Sequence, residues 1–138
     1  MSLTFNANIL AVLVVTVISF ILGWLWYGPF FGKQWTRAVG ITRREMEDSK
    51  KGMGSKMLTA FVLTLVTSYI TAIFIKASGA STILSGAFVG VLVWLGFYLT
   101  TSVNGILWEN KKVTFFYINT AHDLVRFIIV AAILAIWI

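Results

Sequence analysis

The sequence predicts an all-α fold: an integral membrane four-helix bundle, with a short interfacial amphipathic helix between spans one and two. Three observations carry this. Of 138 residues, 59% are hydrophobic and 12% charged, against roughly 25% charged in ordinary soluble domains. Residues 1–32, 57–75 and 77–108 contain no Asp, Glu, Lys or Arg, and each run is long enough for a bilayer core, which takes about 20 apolar residues to cross. The basic residues gather in two connections. Lys33, Arg37, Arg43, Arg44, Lys50, Lys51 and Lys56 lie in 29–56 and Lys111 and Lys112 in 109–112, against Lys76 near the opposite side and Arg126 within the last apolar run.

Taken in order, span one is expected near 7–28. It resembles a signal peptide in apolarity, but no Lys or Arg precedes it and no small-x-small site follows, so it is expected to stay in the mature chain. Gly28-Pro29 is expected to end it, with Pro29 opening a new helix, PFFGKQWTRAV, that Gly40 closes. On that helix Phe31, Trp35, Ala38 and Val39 share a face opposite Lys33, Thr36 and Arg37, the pattern of a helix lying in the membrane interface. Thr42-Arg43-Arg44-Glu45 reads as a capping box opening a short charged helix that Lys50-Lys51-Gly52-Met53-Gly54 ends.

Spans two, three and four are expected near 57–77, 83–107 and 113–137, all within a single membrane domain covering 1–138. In span two Thr64, Thr67, Ser68 and Thr71 line one face. In span three Gly86, Gly90, Thr101 and Asn104 fall together, and in span one Thr16, Ser19, Gly23 and Tyr27. Small and hydroxyl stripes let helices approach closely, or line a narrow polar path. With four spans the two basic connections share one side, and the positive-inside rule assigns that side to the cytoplasm and both termini to the exterior.

GWLWYGPFFGKQW, residues 23–35, carries Trp26, Tyr27, Phe31, Gly32 and Trp35 in a Trp-Tyr-x-x-x-Phe-Gly-x-x-Trp pattern. This resembles the signature of a bacterial family of small membrane proteins catalogued as domain of unknown function 1761. The resemblance implies four spans in a bacterial inner membrane and brings no activity with it. Read on their own, Trp24, Trp26, Tyr27, Phe31 and Trp35 form an interfacial aromatic motif, either a belt at the headgroups or a surface for ligand stacking.

Span four breaks the rule of charge-free spans. Asn119, His122, Asp123 and Arg126 interrupt an apolar run and fall within about 100° of one helix face. From Val113, a rise of about 1.5 Å per residue puts His122 about 14 Å and Arg126 about 20 Å along the span, on either side of the bilayer centre. Charge at that depth must face protein or a wet cavity. Arg126 leans back toward Asp123 at i,i+3, and Asn119 reaches Asp123 at i,i+4. One reading makes Asp123 and Arg126 a structural pair, with His122 bonded to Thr or Asn on spans two or three. The other makes Asn119, His122, Asp123 and Arg126, with Asn104, Thr101 and Thr67, a ligand site or proton relay in which Arg126 contacts an anion and His122 titrates.

These features narrow the function classes. There is no cysteine and one histidine, so no metal site and no cofactor are expected. No nucleophile elbow, zinc helix or phosphate loop is present, so no enzyme is expected. Nucleic acid is set aside because Glu45, Glu47 and Asp48 intersperse the basic segment. Two functions remain: a transporter or conduit for protons or a small polar or anionic ligand, and a scaffold that binds partners or anionic lipid headgroups through the basic segment. The lipid bilayer and further copies of the chain, as a homo-oligomer, are the expected partners.

Overall fold

The computed structural model describes residues 6–137, so the first and last residues, on which the topology reading also bears, lie outside the described residues. The regular structure among the described residues is all helical, in the order α1 (Ile9–Leu25), a π-helical turn (Trp26–Phe30), α2 (Gly32–Val39), α3 (Arg43–Ser49), α4 (Met53–Ser78), α5 (Ile83–Val93), a second π turn (Trp94–Leu99), α6 (Thr100–Trp108) and α7 (Val113–Trp137). Four stretches have the length and composition to cross a membrane: Ile9–Phe30, Met53–Ser78, Ile83–Trp108 and Val113–Trp137. Helices continue through both π turns, so α1 and its turn form span one, while α5, its turn and α6 form span three.

α7 stands at the centre and touches each of the other three spans, with its broadest interface against α5. It is also the most buried of the four. The physical reason is its content: the span with a carboxylate, a guanidinium and an imidazole gains most from exchanging lipid for protein. Its neighbours present largely apolar residues outward, including Ile9, Leu10, Leu63, Leu84, Phe88 and Phe97.

At the end of the bundle near Lys76 the core is made of small and branched residues: Ala11, Val12, Val15, Ala72, Ile75, Ala131, Leu134 and Ala135. Gly86 and Gly90 belong to this packing. A Cβ on Gly90 would stand 2.4 Å from the Phe127 carbonyl oxygen, and one on Gly86 2.6 Å from that of Ala131. The close-packing signature of span three is therefore used within the chain, against α7, where backbone contact replaces side-chain interdigitation.

Two expectations are corrected at the other end. Pro29 does not open a new helix but sits inside the first π turn. In a regular α-helix its ring would press on the carbonyl of Leu25. The wider turn, closed by Phe31 N–H to the Trp26 carbonyl at 2.8 Å, accommodates it. The chain breaks two residues later, at Phe31 with φ −126°. There a Cβ on Gly32 would come within 2.7 Å of the Tyr27 carbonyl oxygen. Span two also starts at Met53, four residues before its expected start, once Gly52 at φ 69° has turned the chain. The closure of α2 by Gly40 at φ 73° follows the sequence pattern. So does the capping box, with Glu45 N–H to Thr42 Oγ1 at 3.2 Å and Thr42 N–H to Glu45 Oε2 at 3.4 Å.

A third correction concerns faces. Thr101 and Asn104 are exposed, although an α-helical wheel puts them with Gly86 and Gly90. The π turn Trp94–Leu99 lies between the two pairs. Each π turn inserts about one residue relative to an α-helix and so rotates everything beyond it by about 100°. Thr101 is left donating to the Phe97 carbonyl on its own helix.

Candidate functional site

One helix face places the cluster. His122 is 8% and Asp123 5% exposed. Asp123 Oδ1 lies 3.1 Å from His122 Nδ1 and 3.4 Å from Arg126 Nη2, and Tyr98 lines the same cavity as the carboxylate. The bond to the carboxylate fixes Nδ1 as a proton-bearing nitrogen of His122. Nε2 is buried with no partner among the described residues, as is Arg126 Nε. Nε2 faces α1, where a Cβ built on Gly23 would lie 3.7 Å away. The Trp26 and Tyr27 rings pack on His122 at centroid distances of 5.9 and 5.1 Å. His122 therefore meets span one, and the expected bond to Thr or Asn of spans two or three does not form. Asn119 likewise does not reach Asp123: its Oδ1 accepts the Tyr27 hydroxyl at 2.6 Å.

The two π turns hold this arrangement from either side. Trp26 Nε1–H donates to the Ile118 carbonyl at 3.0 Å, and Trp94 Nε1–H to the Thr120 carbonyl at 2.9 Å. Both oxygens belong to the central helix one turn before the charged residues, and each has a second lone pair beyond the one used by the helix. Each turn also contributes a tyrosine, Tyr27 or Tyr98. The first span of each helical hairpin thus repeats one device, a widened turn that pins an indole to α7 and aims a phenol at the cluster.

A cavity of about 580 Å³ lies between spans one, three and four. Its deep end is Tyr27, Tyr98, Asn119, His122 and Asp123; its walls include Ser102, Ile106, Phe115 and Phe116. Trp35, Gly105 and Lys111 lie toward the basic connections. Lys111 pairs with Glu109 at 3.0 Å and holds its ammonium 5.4 Å from the centroid of the Phe115 ring. Behind the cluster is a gap of about 10 Å³ bordered by Arg126, Ser19, Thr64, Thr67, Ser68 and Thr71. Arg126 borders this gap and not the main cavity, with its guanidinium 5.0 Å from the centroid of the Phe127 ring.

The structure thus groups the residues singled out in the sequence in three ways. Asn119, His122 and Asp123 meet Tyr27 and Trp35 at the cavity. Arg126 and Thr67 meet in the gap behind it. Thr101 and Asn104 join neither. The aromatic motif divides too. Trp24 is exposed, Phe31 packs on Trp26 at 4.8 Å, and Trp35 meets Tyr27 edge-on at 5.7 Å. Its inward members, Trp26, Tyr27 and Trp35, serve α7 and the cavity. Sequence reasoning missed Trp94, Tyr98, Phe115 and Phe116. The signal for the first two was the Trp-x-Gly-x-Tyr of residues 94–98, an echo of Trp26 and Tyr27 in the corresponding span.

A four-span helical membrane protein with an ionisable cluster at mid-span, beside an aromatic-walled cavity, is the class these features define. The chain belongs to the family described as "Protein of unknown function (DUF1761)", whose model matches residues 10–135. Neither a curated protein nor a solved structure matches the sequence.

Proposed function

We propose that the protein is a transporter or conduit for a small polar solute or for protons, loaded from the basic end of the bundle. The observation that carries this reading is the cavity of about 580 Å³ that reaches from the basic connections to Asp123 and His122. Ligand pockets fall in the range of about 300–1,000 Å³, and intramembrane ionisable groups mark substrate or proton pathways. The gap behind Arg126, about 10 Å³, matches the space of a single water. Beyond it lie Val12, Val15, Ala72 and Leu134, fully packed, as in a state closed on that side.

On this reading Asp123 and His122 receive the solute or proton, Tyr27 and Asn119 orient it, and Arg126 holds one oxygen of the carboxylate in place. The groups facing His122 are Tyr27 and Trp26 from span one and Asp123 on its own helix, with Tyr98 lining the same cavity and Arg126 reaching it through Asp123. The basic end faces the cytoplasm of a bacterial inner membrane. Cysteines introduced at Ser49 and at Ser81, both exposed and at opposite ends, are expected to label from opposite sides; labelling from one side refutes the topology.

The direct test is flux. Liposomes holding the purified protein are expected to pass protons or a small polar solute, with a pH dependence that His122→Phe abolishes. Ser102→Trp, which fills the cavity wall, is expected to stop the flux. Liposomes sealed to protons and to a broad solute panel sink the reading. The scaffold alternative then stands, favoured by α3, all of whose residues are exposed. Deleting 43–51 is the experiment that moves it.

A further inference from the structure

Resting on the reading of the cavity as a ligand site, we propose that its ligand is a small organic ammonium ion, seated against aromatic rings with its positive charge toward Asp123. An anion would meet the wrong groups. Arg126, the cation at this depth, turns away from the cavity: Nη2 is held by Asp123 at 3.4 Å, and the side chain borders the hydroxyl-lined gap. The deep end instead presents a carboxylate, two phenols, an imidazole whose Nδ1 is turned to that carboxylate, and an amide whose oxygen is already engaged.

The carboxylate retains capacity. Both nitrogen partners, His122 Nδ1 and Arg126 Nη2, meet the same oxygen, Oδ1. A carboxylate has about four lone-pair sites, so Oδ2 is left to face a further cation. The walls complete the argument. Tyr27, Trp35, Tyr98, Phe115 and Phe116 line one cavity, and ring faces attract cations, the more strongly where water is excluded. An ammonium already uses this wall, since Lys111 Nζ stands over Phe115 at 5.4 Å. A bare metal cation is the poorer fit, because hard ions require about six or more oxygen ligands and these walls are mostly carbon. Glu109, 3.0 Å from Lys111 Nζ, offsets the lysine charge at the mouth.

The test uses an isosteric series on the full chain in nanodiscs of neutral lipid: choline, its neutral carbon analogue 3,3-dimethylbutanol, and the anionic 3,3-dimethylbutyrate, followed by calorimetry and by Tm. Choline is expected to bind saturably and at least tenfold tighter than the alcohol, with no binding of the carboxylate. Asp123→Asn is expected to remove that preference. Phe115→Ala, which leaves the ion cluster intact and so preserves folding, is expected to weaken choline severalfold more than the alcohol. If the alcohol or the carboxylate binds as tightly as choline, the ammonium assignment is overturned while the ligand site stands. Binding of none of the three overturns both. An unchanged choline affinity in Phe115→Ala places the cation outside this cavity and also overturns the proposal.

Discussion

Near Lys76 the helices meet through glycine, alanine and valine, closely enough that backbone touches backbone. At the basic end they meet through tryptophan, tyrosine and phenylalanine, and a cavity remains between them. The same α7 runs through both regions, so the difference comes from what its partners bring. Where Gly86 and Gly90 face Phe127 and Ala131, van der Waals contact is continuous, which is the main source of helix association when lipid is as apolar as leucine. Where the π turns intervene, association rests on two indole hydrogen bonds and ring contacts, an arrangement that holds helices at a distance. One region is built to stay shut and the other to admit something.

Four substitutions sharpen or break that comparison. The largest effect is expected from Gly90→Ala: its Cβ would stand 2.4 Å from a backbone oxygen, so α5 and α7 must separate, at a cost of about 3 kcal/mol, the upper end for overpacking. Thermal unfolding in detergent measures it; a neutral result would show the closed end to be loosely packed. Next is Arg126→Ala. Removing one partner of a buried pair costs about 3–5 kcal/mol, but Asp123 keeps His122 at 3.1 Å, so about 2 kcal/mol is expected. The double variant with Asp123→Ala should lose less than the single, and an equal or greater loss in the double refutes the pairing.

Smaller again is Tyr27→Phe. It removes the 2.6 Å bond to Asn119 and should cost about 0.6–1 kcal/mol while reducing any solute flux through the cavity. A loss as large as that of Gly90→Ala would mean the basic end is held as rigidly as the other. Smallest is Thr101→Val on the exposed face, expected to change stability by less than about 0.5 kcal/mol and to leave flux unchanged. A loss of flux there would return Thr101 to the site from which the second π turn removes it.

Local signals in the sequence were reliable where a feature depends on its neighbours along the chain. The capping box at Thr42, the turn at Gly40, the i,i+3 approach of Arg126 to Asp123 and the four long apolar spans all follow from adjacent residues. Features that depend on phase were not. A wheel that assumes 100° per residue throughout groups Thr101 and Asn104 with Gly86 and Gly90, and the exclusion of Pro29 from a regular α-helix makes it look like a helix start. Both misreadings trace to the same cause: a π turn breaks the period, and an isolated sequence gives little warning of one. Asn119 was paired with Asp123 on its own helix, whereas Tyr27, 92 residues away in the chain, takes its oxygen.

The sequence by itself determined the solvent, the number of spans and the depth of the charged residues, because hydropathy and helical rise are properties of a segment taken alone. Tertiary structure decided which way those residues face. Asp123 opens onto an aromatic cavity and Arg126 onto a hydroxyl-lined gap, although they are neighbours on one helix face. That choice depends on where spans one and three lie, and their positions are set by glycines that let α5 touch α7 and by widened turns that hold Trp26 and Trp94 against it.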